Sequence, residues 1–157
     1  MNEIHYINAD ESDAYLLADY RIEFLEEYWG KQKKEDADKL RNNLVKYFSE
    51  SIKNKSYICW LAKEKEKVVG IGGITLRNQP GNFKNPTGKV GYILNMYTVP
   101  SHRCKGIGMH ILNKLISSAK ERGYFMFELH ATIEGKRLYQ KNGFQLHPEP
   151  TYRKYDP

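Results

Sequence analysis

Two cysteines in 157 residues leave little room for a disulfide framework. Cys59 stands in an apolar, strand-like run and Cys104 between Arg103 and Lys105, so both are expected as free thiols in a reducing cytoplasm. Long apolar runs are missing too: no stretch nears the roughly 18–20 residues of a membrane span. The opening residues, Met1-Asn2-Glu3-Ile4-His5, lack the basic-then-apolar layout of a secretory signal, and a cytoplasmic location is expected. There is no internal repeat, low-complexity tract or linker to a second domain. No residue set is nominated for a metal. A formal charge of +6 does not come from basic blocks. Lys and Arg alternate with acids, as in Lys33-Lys34-Glu35-Asp36 and Lys63-Glu64-Lys65-Glu66-Lys67, and interspersed signs cancel locally. No helix is uniformly basic, and Glu128 follows the aromatic run Tyr124-Phe125-Met126-Phe127. A nucleic-acid partner is therefore not expected.

What is present is a clear change of period along the chain. Ile4 to Ile7 reads as a short strand. Asp10 or Ser12 can cap a helix with Leu17, Tyr20, Phe24, Leu25 and Tyr28 on one face, closed by Gly30. A second helix carries Ala37, Leu40, Leu44, Phe48 and Ile52. Strands are expected at Tyr57–Ala62, Val68–Leu76 and Lys89–Val99, with Arg77–Gly88 as a loop. Three glycines in the second of these strands predict weak packing, a bulge or close approach by another element. A helix with Ile107, Ile111, Leu112, Leu115, Ile116 and Ala119 on one face follows, ending at Gly123. A strand over Tyr124–Ala131, a short helix near Glu134–Lys141 and a terminal hairpin of Phe144–His147 with Thr151–Tyr155 complete the reading.

The chemistry is concentrated in Tyr97-Thr98-Val99-Pro100-Ser101-His102-Arg103-Cys104-Lys105-Gly106-Ile107-Gly108. A strand stops and a helix starts with two glycines in its first turn. The amides there have no intrahelical acceptors, and the helix dipole adds partial positive charge. That combination suits a phosphate, and Arg103 and Lys105 reinforce it. The same glycines could instead serve helix–sheet packing alone. A Gly-x-x-x-x-Gly-Lys-Ser/Thr loop does not occur, and Ile111 stands where a dinucleotide fingerprint needs its third glycine.

Arg103-x-x-Gly106-x-Gly108 after Val99-Pro100 resembles the acetyl-CoA-binding signature of the GNAT superfamily of N-acetyltransferases. Leu138-Tyr139-Gln140-Lys141-Asn142-Gly143-Phe144 is similar to that family's Leu-Tyr-x-Lys-x-Gly-Phe motif, in the expected order and at a fitting distance. The resemblance implies a mixed α+β fold: a central, mixed, twisted sheet of about six to seven strands flanked by about four helices, as one acetyltransferase domain over 1–157. It also implies acetyl-CoA as cosubstrate. The backbone of Met96, Tyr97 and Thr98 would bond the pantetheine arm like an added strand. Arg103, Cys104, Lys105, Gly106, Ile107 and Gly108 would hold the pyrophosphate. Tyr139 matches a tyrosine that in many members protonates the departing thiolate. Thr132 stands where many members have a cofactor-contacting asparagine, and supplies a hydroxyl in its place.

The reaction so implied is direct acetyl transfer to a primary amine, of a small molecule or a peptide, within a ternary complex. A thiol near pKa 8.5 and a tyrosine near 10 make proton transfer between them accessible at pH 7. The acceptor ammonium, near 10.4, must lose its proton before attack. Glu128 and His130 share one face of a strand by alternation and are the nominated bases; Asn95 and Tyr92 are placed to orient substrate or water. Cys104, in the phosphate loop, lies too far from the thioester to carry the acyl group. Either a monomer or a homodimer fits. The competing reading is a non-catalytic acyl-CoA-binding or regulatory module, which would have no need of Tyr139.

Overall fold

A short strand, β1 (Ile4–Asn8), opens the computed structural model, which describes residues 3–157. Asp10 then accepts a hydrogen bond from Ser12 N–H at 2.8 Å, and Asp13 accepts one from Asp10 N–H at 2.9 Å. This reciprocal box satisfies donors that a first helical turn leaves open. A 3-10 turn over Glu11–Asp13 leads into α1 (Ala14–Trp29), which ends at Gly30 with φ +86°. Next come α2 (Lys34–Lys53), β2 (Tyr57–Glu64), β3 (Lys67–Asn78), β4 (Lys89–Thr98), α3 (Ile107–Lys120), β5 (Met126–Glu128) and α4 (Lys136–Lys141).

The strands form one sheet in the order β1-β2-β3-β4-β5, antiparallel except for the parallel β4–β5 pair. Both faces are covered. On one, Ile107, Ile111, Leu112 and Leu115 of α3 lie on Ile58, Val69, Ile74 and Ile93. All four α3 side chains are fully buried, each contributing about 1.5–3 kcal/mol. On the other, Leu17 and Ala18 of α1 and Phe48 of α2 pack against Tyr57, Leu61, Ile71 and Tyr97. The β3 glycines answer to close approach: a Cβ on Gly70 would lie 2.8 Å from the Ile107 side chain, so α3 rests directly on that strand.

A bulge interrupts β4. Ile71 pairs with Tyr97 but Gly73 with Leu94, so Asn95 and Met96 together oppose Gly72. Asn95 absorbs the extra residue with φ +58°, a left-handed conformation that asparagine tolerates better than most residues.

Among the described residues there are five strands rather than six to seven. Phe144–His147 and Thr151–Tyr155 form no hairpin and take no regular structure. Pro148 and Pro150 sit between the two segments, each lacking a pairing N–H, and Leu146, Tyr152 and Tyr155 stay exposed instead of alternating inward. The strand expected over Tyr124–Ala131 contracts to Met126–Glu128, which pairs with Val90, Gly91 and Tyr92 and leaves β4 after Tyr92. The four expected helices are all present.

Candidate active site

The early end of β4–β5 pairing creates the site. Beyond Tyr92, β4 from Ile93 to Thr98 has no strand on that edge, and its backbone groups face a gap. The chain then turns through Pro100–His102 into α3. Gly106, at φ +81°, is the residue before the helix, and space around its missing Cβ is open. The N–H groups from Cys104 to Met109 find no acceptor among the described residues, whereas His110 N–H bonds Gly106 O at 3.0 Å. Consecutive free amides at a helix start form an anion cradle.

Arg103 is fixed beside that cradle. Its Nε donates to Thr98 O at 2.9 Å, and its two terminal nitrogens reach the Glu27 carboxylate at 2.6 and 2.8 Å. The hydrogen bond from Arg103 holds the Glu27 carboxyl below its ordinary range. Phosphate loop and α1 are thus tied together.

These elements enclose a cleft of about 800 Å³ whose wall includes Met96, Tyr97, Thr98, Arg103, Cys104, Gly106, Ile107, Gly108 and Thr132. Of the nominated cofactor residues only Lys105 is absent from the wall: it is exposed, and its Nζ donates to Ser101 O at 2.9 Å. Phe24, Glu27 and Tyr28 of α1 close one side, Gly135 and Leu138 the other. Gly108 would place a Cβ 3.4 Å from Leu138, so that glycine also serves packing. Thr132 accepts a hydrogen bond from Gly135 N–H at 3.2 Å, which leaves its own proton to donate. The anion cradle, the unpaired strand edge and the cleft fit an extended ligand with an anionic group such as a pyrophosphate.

The described residues contain no group of three or more His, Cys, Asp or Glu side chains able to hold a metal, and no helix long and apolar enough to cross a membrane. Both cysteines are free, Cys59 buried and Cys104 exposed.

Residues 15–144 match the model of the acetyltransferase (GNAT) family. The chain belongs to that family. A predicted acetyltransferase from Clostridium acetobutylicum, solved with acetyl-CoA, is 32% identical with TM-score 0.89, over 97% of this chain and 96% of that one. A GCN5-related N-acetyltransferase from Ralstonia eutropha JMP134 is 25% identical with TM-score 0.86, over 97% and 99%. An aminoglycoside N-acetyltransferase in complex with CoA shares the fold, at 11% identity and TM-score 0.73 over 98% and 96%. No curated protein matches the chain.

In this GNAT chain the nominated catalytic residues lie around the cleft rather than on its wall. Tyr139 is buried, its ring edge-on to Phe144, and makes no side-chain hydrogen bond among the described residues. Burial pushes its hydroxyl up to about 12. Glu128 pairs with Tyr92 across the β4–β5 seam, so the two side chains share the α1–α2 face of the sheet. His130 is engaged at both nitrogens, by Tyr92 Oη and by Thr151 Oγ1 at 3.2 Å. Glu128 is exposed and makes no side-chain hydrogen bond. The structure thus joins Tyr92, Glu128 and His130 and sets Tyr139 apart from them.

Sequence reasoning missed Glu27, Arg21 and Arg77. Arg21 did leave a signal: it stands four residues after Leu17 and four before Leu25, a cation inside an apolar stripe. Glu27 left none.

Proposed function

We propose that this chain transfers the acetyl group of acetyl-CoA to a primary amine by direct attack within a ternary complex. Acetyl-CoA is the cosubstrate; it supplies an activated acyl group and a thiolate leaving group. The observation that carries the reading is the unpaired β4 edge running into six free amides at the start of α3. The β4 edge aligns the pantetheine arm, and the Cys104–Met109 amides bind the pyrophosphate beside the Arg103 side chain that Glu27 and Thr98 O hold in place. A β4 amide near the bulge, within Met96–Thr98, donates to the acyl oxygen as it gains charge.

Glu128 is the base of this proposal. Its carboxylate is unshared, whereas both His130 nitrogens are in use, so His130 positions Tyr92 instead. Tyr139, protonated well beyond neutral pH, donates toward the departing sulfur. The whole reaction is carried by one domain.

Calorimetric titration of acetyl-CoA, followed by CoA release against a panel of primary amines, tests the reading. Micromolar binding with amine-dependent release supports it. Binding without release by any amine would leave an acyl-CoA-binding module, and absence of binding would remove the proposal altogether.

A further inference from the structure

Two arginines outside the cofactor cleft lack an anionic partner. Neither Arg21 nor Arg77 forms an ion pair or a side-chain hydrogen bond among the described residues. Arg77, at the end of β3, lies 4.0 Å over the ring of Tyr92. Arg21, on α1, is partly buried with its guanidinium 6.0 Å from the Phe24 ring, and Phe24 itself lines the cofactor cleft. The groups that act on Arg21 electrostatically are the hydroxyls of Tyr57, Tyr92 and Tyr47, and Tyr47 feels both arginines. Those neighbours are phenols, not carboxylates.

The surroundings are polar and unsatisfied. Tyr57 Oη and both polar atoms of the neighbouring Asn95 carboxamide are sealed from solvent without a hydrogen bond of good geometry. Asn95 sits at the β4 bulge, where the gap opens. Register fixes the rest: Thr75 pairs with Tyr92 and Tyr92 with Glu128, so Arg77, two residues after Thr75, shares their face. Arg77 therefore shares a sheet face with the nominated base, and Arg21 stands on α1 one helical turn before Phe24 of the cleft wall. Two guanidiniums, one of them half-desolvated and neither countered, match an anion brought by a ligand.

We propose that Arg21 and Arg77 bind an anionic group, a carboxylate or a phosphate, carried by the amine acceptor itself. The acceptor is then a small amine with its own negative charge, and polycations are repelled. This rests on the acetyl-transfer reading for the amine, but not for the anion.

The test separates the two. Protein saturated with CoA is titrated calorimetrically with amino acids, the matching amino-acid amides, O-phosphoethanolamine and ethanolamine, and CoA release from acetyl-CoA is measured with the same probes. Amino acids are expected to bind at least about tenfold more tightly than their amides if the group is a carboxylate. Phosphoethanolamine is expected to exceed ethanolamine similarly if it is a phosphate. Arg21→Gln and Arg77→Gln are each expected to weaken that binding about 10–100-fold while acetyl-CoA affinity stays within about threefold. Arg77 is exposed, so its variant keeps the test open if Arg21→Gln does not fold. Equal or weaker binding of the anionic members, or variants that retain it, overturns the anion inference whether or not acetyl transfer occurs. Selective binding of anionic amines with no CoA release leaves the anion site standing and sinks transfer.

Discussion

Gly106→Ala and Gly108→Ala, made side by side, ask whether the glycines serve the cosubstrate or the packing. Gly106 has φ +81°, and nothing lies within 4 Å of where its Cβ would stand. The alanine variant meets no steric clash in the protein and costs only the left-handed strain, about 1 kcal/mol. For a chain of this length that lowers Tm by about 2–4 °C. The new methyl, however, enters the open space at the start of α3, the place proposed for the pyrophosphate. Losing one or two charge-assisted hydrogen bonds there weakens acetyl-CoA by about 1.5–3 kcal/mol each, at least tenfold in Kd. Gly108 lies inside α3 at negative φ, and its Cβ would touch Leu138 at 3.4 Å. Alanine gains up to about 1 kcal/mol of helix propensity there, offset in part by that contact. Expected for Gly108→Ala are an unchanged or raised Tm and acetyl-CoA affinity within about threefold. Thermal melts and calorimetric titration of both variants decide the matter. Unchanged affinity in Gly106→Ala, or a stability loss of about 3 kcal/mol or more, would refute the reasoning, since the glycine would then be structural.

Tyr139→Phe is expected to leave acetyl-CoA affinity unchanged and lower kcat by about 10–100-fold, at the low end of general-acid effects, because a hydroxyl near 12 is a weak donor to a thiolate near 8.5; turnover equal to wild type in stopped assays would take Tyr139 out of the mechanism. Glu128→Gln is expected to lower kcat at least about tenfold, with His130→Gln mainly raising the acceptor KM; the reverse pattern would exchange their roles. Alkali is expected to unfold the chain progressively. Burial pushes the Cys59 thiol from its ordinary 9.0 up to about 12, so the folded state retains its proton where the unfolded state loses it, and stability falls as pH rises. The loss is about 4 kcal/mol between pH 9 and 12 from this group, and denaturant melts of Cys59→Ala over that range should show a shallower decline; a parallel one would discount it.

Much of this architecture was readable because burial imprints a period on the chain. α3 and β2–β4 carry their apolar residues at spacings that only one conformation can bury, and the Arg103–Gly108 and Leu138–Phe144 motifs bracket the cofactor cleft. The C-terminal third was harder. Phe125 is exposed while Tyr124 is buried, and Leu146 is exposed, so apolar identity there does not report burial. The β4 bulge was not legible, since a left-handed Asn95 leaves the strand's composition unchanged. Arg21 and Arg77 escaped for a related reason: their meaning depends on which charges are absent nearby, and that is set by tertiary contacts across α1, α2, β3 and β4.

α1 contributes Phe24, Glu27 and Tyr28 to the cofactor side and, one turn earlier, Arg21 to the face beside Tyr92. On the proposed reading one helix thus serves both halves of the reaction. Drift in acceptor preference through α1 cannot be separated from drift in donor affinity, because a shift of the helix by a fraction of a turn also moves Glu27 against Arg103. New acceptor specificities are reached more freely through Arg77 and the 79–88 segment after β3, none of which lines the cleft.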